Sequence, residues 1–87
     1  MKVALYTMQK TIYSGETTRI SLPTVMGQVT ILNNHEPYVT ILSPGDIIYT
    51  RFEYNGPHKT EKEERLPVTG GFLEVRGDNE VKILADC

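Results

Sequence analysis

The sequence predicts an all-β fold, a small antiparallel β-sandwich or flattened barrel, and three observations carry that prediction. Apolar and polar residues alternate with period two along most of the 87 residues. Clusters of Gly, Pro, Asn, Asp and Ser punctuate the alternation at short intervals. No segment carries the 3.6-residue apolar stripe that a packed helix needs. Short strands separated by turns throughout make one sandwich or barrel domain over residues 1–87.

The elements follow in order. Residues 2–8 alternate, with Val3, Leu5 and Thr7 against Lys2, Ala4, Tyr6 and Met8, a first strand. After Ile12 and Tyr13, Ser14-Gly15-Glu16 reads as a turn. Thr17 to Leu22 is rich in β-branched residues, with Thr18, Ile20 and Leu22 expected on one face, and Pro23 is expected to end it. Gly27 to Leu32 is a further alternating strand, followed by the polar, turn-prone Asn33-Asn34-His35-Glu36-Pro37. Tyr38 to Leu42 returns to strand and Ser43-Pro44-Gly45 closes it. Ile47 to Tyr54 is the longest apolar-aromatic run, and Asn55-Gly56-Pro57 turns it. Lys59 to Arg65 is almost wholly charged. Without an apolar stripe it makes a poor helix, so an exposed strand pairing back on residues 47–54 is expected.

The strongest local signal is Gly70 to Cys87, two alternating runs flanking Gly77-Asp78-Asn79. A hairpin closed with Arg76 opposite Glu80 sets Val75 against Val81, Glu74 against Lys82, Leu73 against Ile83 and Phe72 against Leu84. Every pair is like with like or opposite in charge. A one-residue slip puts Val75 against Glu80. Cross-strand pairs contribute roughly 0.2–1 kcal/mol each, so together they select one register. Asn79 takes the left-handed position of the loop. Leu73, Val75, Val81, Ile83 and Ala85 form the core side. On the other face Phe72 and Leu84 stand as an apolar pair, either covered by a neighbouring loop or offered to a partner. Gly70-Gly71 ahead of them allows a close backbone approach or a bend.

Bulk properties exclude several classes. A net charge of −2 gives no electrostatic case for nucleic acid or an anionic membrane surface. One cysteine, Cys87, permits no internal disulfide, and no run approaches the roughly twenty apolar residues of a spanning helix. Together with the lack of a signal-peptide-like run near Met1, this points to a soluble, intracellular chain without direct membrane insertion. There is no glycine-rich phosphate loop and no Gly-x-Ser-x-Gly turn. His35, His58 and Cys87 are scattered singly, without the spacing of a metal module. No catalytic residue, metal or cofactor is expected. The residues alone describe a small β module that binds another protein.

The order of several short motifs is more specific. Gly70-Gly71-Phe72-x-Glu74-Val75, the Asn79 turn and Leu84-Ala85-Asp86 stand in the order found in the amino-terminal β-sandwich of the epsilon subunit of F-type ATP synthases. Upstream, Tyr13-Ser14-Gly15-Glu16, Leu22-Pro23-Thr24, Gly27, Ile31-Leu32, His35, Pro37 and Leu42-Ser43-Pro44-Gly45 continue the match, and the chain resembles that family over nearly its whole length. The resemblance implies about ten short strands. It also implies a non-catalytic central-stalk rotor subunit that joins the gamma subunit to the membrane c-ring and couples proton flow to ATP synthesis. The complex would sit at the cytoplasmic face of the cell inner membrane. Carried over residue by residue, gamma contact falls on Gly70, Gly71 and Phe72. Contact with the polar loops of the c-ring falls on Gln28, Asn33, Asn34, His35 and Glu36. The pattern departs at Gln28, commonly acidic in the family, at Thr30, commonly Gly, at Asn33-Asn34, commonly Pro-Gly, and at Glu36, commonly small and apolar. Typical members continue into a two-helix carboxy-terminal domain that can inhibit hydrolysis and in some binds ATP. This sequence ends one residue after Asp86, so the resemblance implies a coupling-only subunit that neither binds ATP nor inhibits hydrolysis. The competing reading is a stand-alone ligand- or carbohydrate-binding sandwich. Sugar sites favour exposed aromatics, often Trp, and this chain has no Trp and five Tyr, most of them alternating within strands.

Overall fold

A computed structural model describes residues 1–87. They form nine strands, β1 (Lys2–Tyr6), β2 (Thr11–Glu16), β3 (Arg19–Thr24), β4 (Gly27–Leu32), β5 (Tyr38–Leu42), β6 (Gly45–Asn55), β7 (His58–Val68), β8 (Gly70–Val75) and β9 (Glu80–Asp86). There is no helix. Nine strands replace the ten expected, and all-β is the fold class.

The β8–β9 hairpin has the register its side chains select: Phe72 opposes Leu84, Leu73 Ile83, Glu74 Lys82 and Val75 Val81. The Arg76 amide donates to the Glu80 carbonyl at 2.8 Å, and Asn79 has φ 62°. Leu73, Val75, Val81, Ile83 and Ala85 are all buried. Fully burying an aliphatic side chain contributes about 1.5–3 kcal/mol, so this face anchors the core. At Gly71 (φ 138°) a Cβ would lie 2.2 Å from the Leu84 carbonyl oxygen. The close backbone approach expected at the Gly-Gly pair is made there.

The charged run is a strand. β7 pairs with β6 without a break from Gly45 opposite Val68 to Asn55 opposite His58. Each arm has eleven residues against five to seven elsewhere, giving arms of roughly 36 Å. Pairing of β6 with β3 stops at Ile20–Tyr49, so the distal half of this hairpin is a two-stranded ribbon. Such a ribbon is marginal alone, and side-chain pairs support it. Arg51 Nε bonds Glu64 Oε1 at 2.8 Å, Lys62 Nζ meets Glu53 Oε2 at 3.0 Å, and the Lys59 ammonium lies 3.9 Å above the Phe52 ring centre. The bond from Lys62 holds Glu53 below the usual carboxylate range, and the bond to Glu64 raises Arg51 further.

The strands join in the order β2-β1-β9-β8-β5-β3-β6-β7, with β4 on the free side of β3. β3 and β5 share only the Thr24–Leu42 bridge, which makes a corner where the sheet folds over. On the far side Tyr13 of β2 meets Tyr49 of β6 with ring centres 5.2 Å apart. Burial pushes both phenols above their ordinary value. Between the two layers lie Leu5, Ile20, Leu22, Ile31, Ile47, Leu73 and Ile83, all fully buried. Ends of the chain meet inside the sheet, because β1 pairs with β9.

Five expectations need correction. The β1–β9 pair is parallel, so the sheet is not wholly antiparallel. Ser14-Gly15-Glu16 lies within β2, not in a turn. Here the Tyr13 hydroxyl donates to the Glu16 carbonyl at 2.6 Å and its ring passes over Gly15, where a Cβ would sit 3.1 Å from the phenol oxygen. The turn lies earlier. Thr7 Oγ1 accepts from the Gln9 and Lys10 amides at 3.2 Å each, a hydroxyl-closed turn with no Gly, Pro or Asn to mark it. β1 therefore ends at Tyr6 and leaves Thr7 and Met8 outside. Pro23 does not end its strand either. It sits past the end of the β6 pairing, where the side facing β6 asks no N–H of it, and its carbonyl accepts from Ser43 at 3.0 Å. Finally, Thr18 is exposed while Thr17 is buried, because β3 begins only at Arg19 and the kink before it turns Thr17 inward.

Candidate functional site

Two surfaces are assembled by the fold, one on a side of the sheet and one at an end. Outward positions of four adjacent strands line up on the side: Ile41 of β5 opposes Phe72 of β8, Phe72 opposes Leu84 of β9, and Leu84 is the partner of Tyr6 of β1. Phe72 is 45% exposed and Leu84 half-buried, so the pair that the sequence left open between loop and partner keeps a free face, and Ile41 beside it is 56% exposed. The apolar row continues to Val39 beside Ile41 and to Val25, whose amide donates to the Ile41 carbonyl at 3.0 Å. Contiguous apolar surface of this kind marks a protein-binding face. Beneath it, Glu74 and Lys82 oppose each other and leave the face near neutral. Gly70 and Gly71 are half-buried at the start of β8 and shape this face through their backbone. Ile41 and Tyr6 were missed in the sequence, although Val39 and Ile41 alternate with Tyr38, Thr40 and Leu42 and so leave β5 apolar on both faces.

The end surface is built by the β4–β5 loop and the β8–β9 turn. The Asn34 amide donates to Asn79 Oδ1 at 2.8 Å, and Asn34 itself has φ 59°. Asn33 Oδ1 accepts from the Met1 ammonium at 2.6 Å. His35 Nδ1 donates to the Glu36 carbonyl at 2.7 Å, its amide donates to the Leu32 carbonyl, and both His35 and Glu36 side chains face solvent. Pro37 packs beside Gly77. Asn33 and Asn34 therefore build this end, and His35 and Glu36 are free to touch a partner. Gln28 is elsewhere. Five residues of strand, roughly 17 Å, separate it from Asn33, and it opposes Pro23 near the other end of the sheet. The five residues expected at one contact are thus split four and one.

Phe72 is only four residues from Arg76, roughly 13 Å along β8, so the side and the end adjoin. The β6–β7 ribbon overhangs the same end, because Tyr49 opposes Ile20 and the residues beyond Tyr49 run past Arg19, which opposes Leu32. Surface hollows are open and shallow, the largest about 420 Å³ beside Lys2, Ala4, Ser14, Gly15 and Lys82. No cluster of His, Cys, Asp and Glu has the geometry to hold a metal ion. The arrangement offers two adjoining surfaces, one apolar on the side of the sheet and one polar at its end.

Comparison with known proteins agrees over the whole chain. Residues 1–87 match the family described as ATP synthase, Delta/Epsilon chain, beta-sandwich domain. The chain belongs to that family. The ATP synthase epsilon chain of Neisseria meningitidis serogroup C (strain 053442) is 40% identical over 86 residues, which cover 99% of this chain and 56% of that one. That of Herpetosiphon aurantiacus is 35% identical, covering 99% and 57%. The chain spans a little over half the length of these relatives. Among solved structures, a chain in the central stalk and c-ring of the Tetrahymena thermophila mitochondrial ATP synthase superposes with TM-score 0.78. It is 26% identical, with 100% of this chain and 63% of that one covered. A chain of the Euglena gracilis mitochondrial enzyme gives 0.77 at 27% identity, covering 95% and 48%.

Proposed function

We propose that this epsilon-type sandwich is a non-catalytic rotor subunit of a proton-translocating F-type ATP synthase, joining the gamma subunit to the c-ring. Proton-driven rotation of the ring then reaches the catalytic head as torque, and the complex lies at the cytoplasmic face of the inner membrane. The observation that carries this reading is the whole-chain superposition on a chain of a central stalk and c-ring assembly. The adjoining side and end surfaces supply what a joint between two partners requires. Gamma takes the side face, with Phe72 as its anchor, Gly70 and Gly71 giving the flat approach, and Ile41, Leu84 and Tyr6 extending it. The polar loops of the c-ring take His35 and Glu36, held in position by Asn33 and Asn34, and Gln28 lies outside that contact. The chain is to be co-expressed with a gamma subunit and detergent-solubilised c-ring is to be added. Stoichiometric recovery of gamma on the ring only when the chain is present supports the reading. A chain that elutes alone with both partners available overturns it.

A further inference from the structure

Where the β6–β7 arm leaves the body of the sheet, three threonine hydroxyls and one carboxylate form a hydrogen-bond chain. Thr17 Oγ1 donates to the Arg19 carbonyl at 2.9 Å and lies 2.8 Å from Thr50 Oγ1. Thr50 Oγ1 is 2.9 Å from Thr18 Oγ1, and Thr18 Oγ1 contacts Glu61 Oε1. Both Thr17 and Thr50 are buried. Each hydroxyl carries one proton and two acceptor lone pairs. Four contacts therefore compete for three hydroxyl protons. With Glu61 ionised, the Arg19 carbonyl and the Glu61 carboxylate, both pure acceptors, take the protons of Thr17 and Thr18. Only Thr50 has a proton left, so one of the two Oγ–Oγ contacts is a lone-pair clash at hydrogen-bond distance.

We propose that Glu61 works as a proton-operated clasp: a protonated carboxyl completes the chain and fastens the β6–β7 arm to the β2–β3 connection. The count then closes, with Glu61 donating to Thr18, Thr18 to Thr50, Thr50 to Thr17, and Thr17 to the Arg19 carbonyl. Remaining lone pairs are also used, because the Thr18 amide donates to Thr50 Oγ1 at 3.2 Å and the Thr50 amide to Thr17 Oγ1 at 3.3 Å.

The charges around Glu61 leave it as the carboxylate of this arm without a cation. Arg19 and Arg65 both go to Glu63, at 3.3 and 3.6 Å, and the Lys59 ammonium lies over Phe52. Phe52 is the residue opposite Glu61. Glu53, Glu64, Arg51 and Lys62 point to the other face of the ribbon, where they pair among themselves. The bond from Lys62 holds Glu53 below the usual carboxylate range, which favours its charged, paired form.

The Thr18 and Thr50 amides report the clasp directly. Their exchange is measured in the intact chain by NMR and expressed as protection factors, which divides out the intrinsic pH dependence, at about pH 3 and about pH 7.5. One restored hydroxyl bond makes both amides roughly fivefold to tenfold better protected at the lower pH. Glu61→Gln donates from its amide at either pH, so it holds both amides at the acid level, while Glu63→Gln keeps the wild-type response. Glu61→Ala, at an exposed position that tolerates truncation, abolishes the response. Protection that does not change with pH in the wild type, or a response that survives in Glu61→Gln or Glu61→Ala, overturns the proposal.

Discussion

Asn34 and Asn79, forty-five residues apart, are the two non-glycine residues with positive φ, and the amide of the first donates to the side chain of the second at 2.8 Å. Each turn thus holds the other in a backbone conformation that costs a non-glycine residue roughly 1–3 kcal/mol. The end of the sheet is a single braced unit, not two loops. This relationship separates the loop residues that build the end from those that can act there.

Glu36→Ala therefore leaves the melting temperature of the isolated chain unchanged and weakens its hold on the c-ring. Asn33→Ala removes an acceptor 2.6 Å from an ammonium and lowers stability by about 1–2 kcal/mol. Chemical denaturation of both variants, beside a c-ring binding assay, checks the division. Equal destabilisation by the two would refute it.

Phe72→Ala tests the side face. At 45% exposure the ring contributes little to the isolated fold, so its loss changes unfolding free energy by less than about 1 kcal/mol. Gamma affinity falls by roughly 1–3 kcal/mol, as for a buried aromatic anchor. Calorimetry against gamma and a denaturant curve separate the two effects. A large stability loss with affinity intact assigns Phe72 to the core.

Gly71→Ala is the most damaging of the small substitutions. Its Cβ meets a backbone carbonyl at 2.2 Å in a left-handed region that L side chains avoid, and β9 cannot retreat without breaking the hairpin. A loss of about 3 kcal/mol or more is expected. Gly27→Ala, also at positive φ but with nothing within 4 Å of its Cβ, costs about 1–2 kcal/mol. The contrast, read from unfolding midpoints, distinguishes collision from strain.

The Tyr13–Tyr49 contact sets an alkaline limit. Burial raises both phenols, so the folded state favours their neutral forms. That contribution is fully present below the ordinary tyrosine value and is lost as pH rises through the folded ones. Tyrosinate absorbance shows two late-titrating groups, stability falls across the same window, and Tyr49→Phe leaves one late group. An alkaline titration without any late component refutes this.

Much of the fold was legible locally. Pairwise complementarity set the β8–β9 register, Asn79 marked the left-handed turn position, and the charged run from Lys59 to Arg65 lacked an apolar stripe and paired back on its neighbour. Within a strand, period-two alternation tells which residues share a face, and adjacent strands joined by a tight turn inherit their register from it. The family resemblance rested on the same local motifs and identified the sandwich. By contrast, the Thr7-closed turn carried no Gly or Pro, and Ser14-Gly15-Glu16 looked like a turn until the Tyr13 ring was seen lying across it.

Only the tertiary structure decided which strands lie side by side. Nothing in residues 2–6 or 80–86 announces that they pair in parallel across the whole chain, yet that pairing carries Tyr6 to Leu84 and completes the apolar row. The corner at Thr24 and Leu42 folds the sheet, and the bond from Asn34 to Asn79 joins two distant turns. Gln28, near its supposed companions in sequence, lies a strand's length from them. Alternation is a property of neighbouring residues, whereas strand order is set by the joint burial of every core face at once. A surface that spans four strands is therefore determined by the packing, not by any one stretch of sequence.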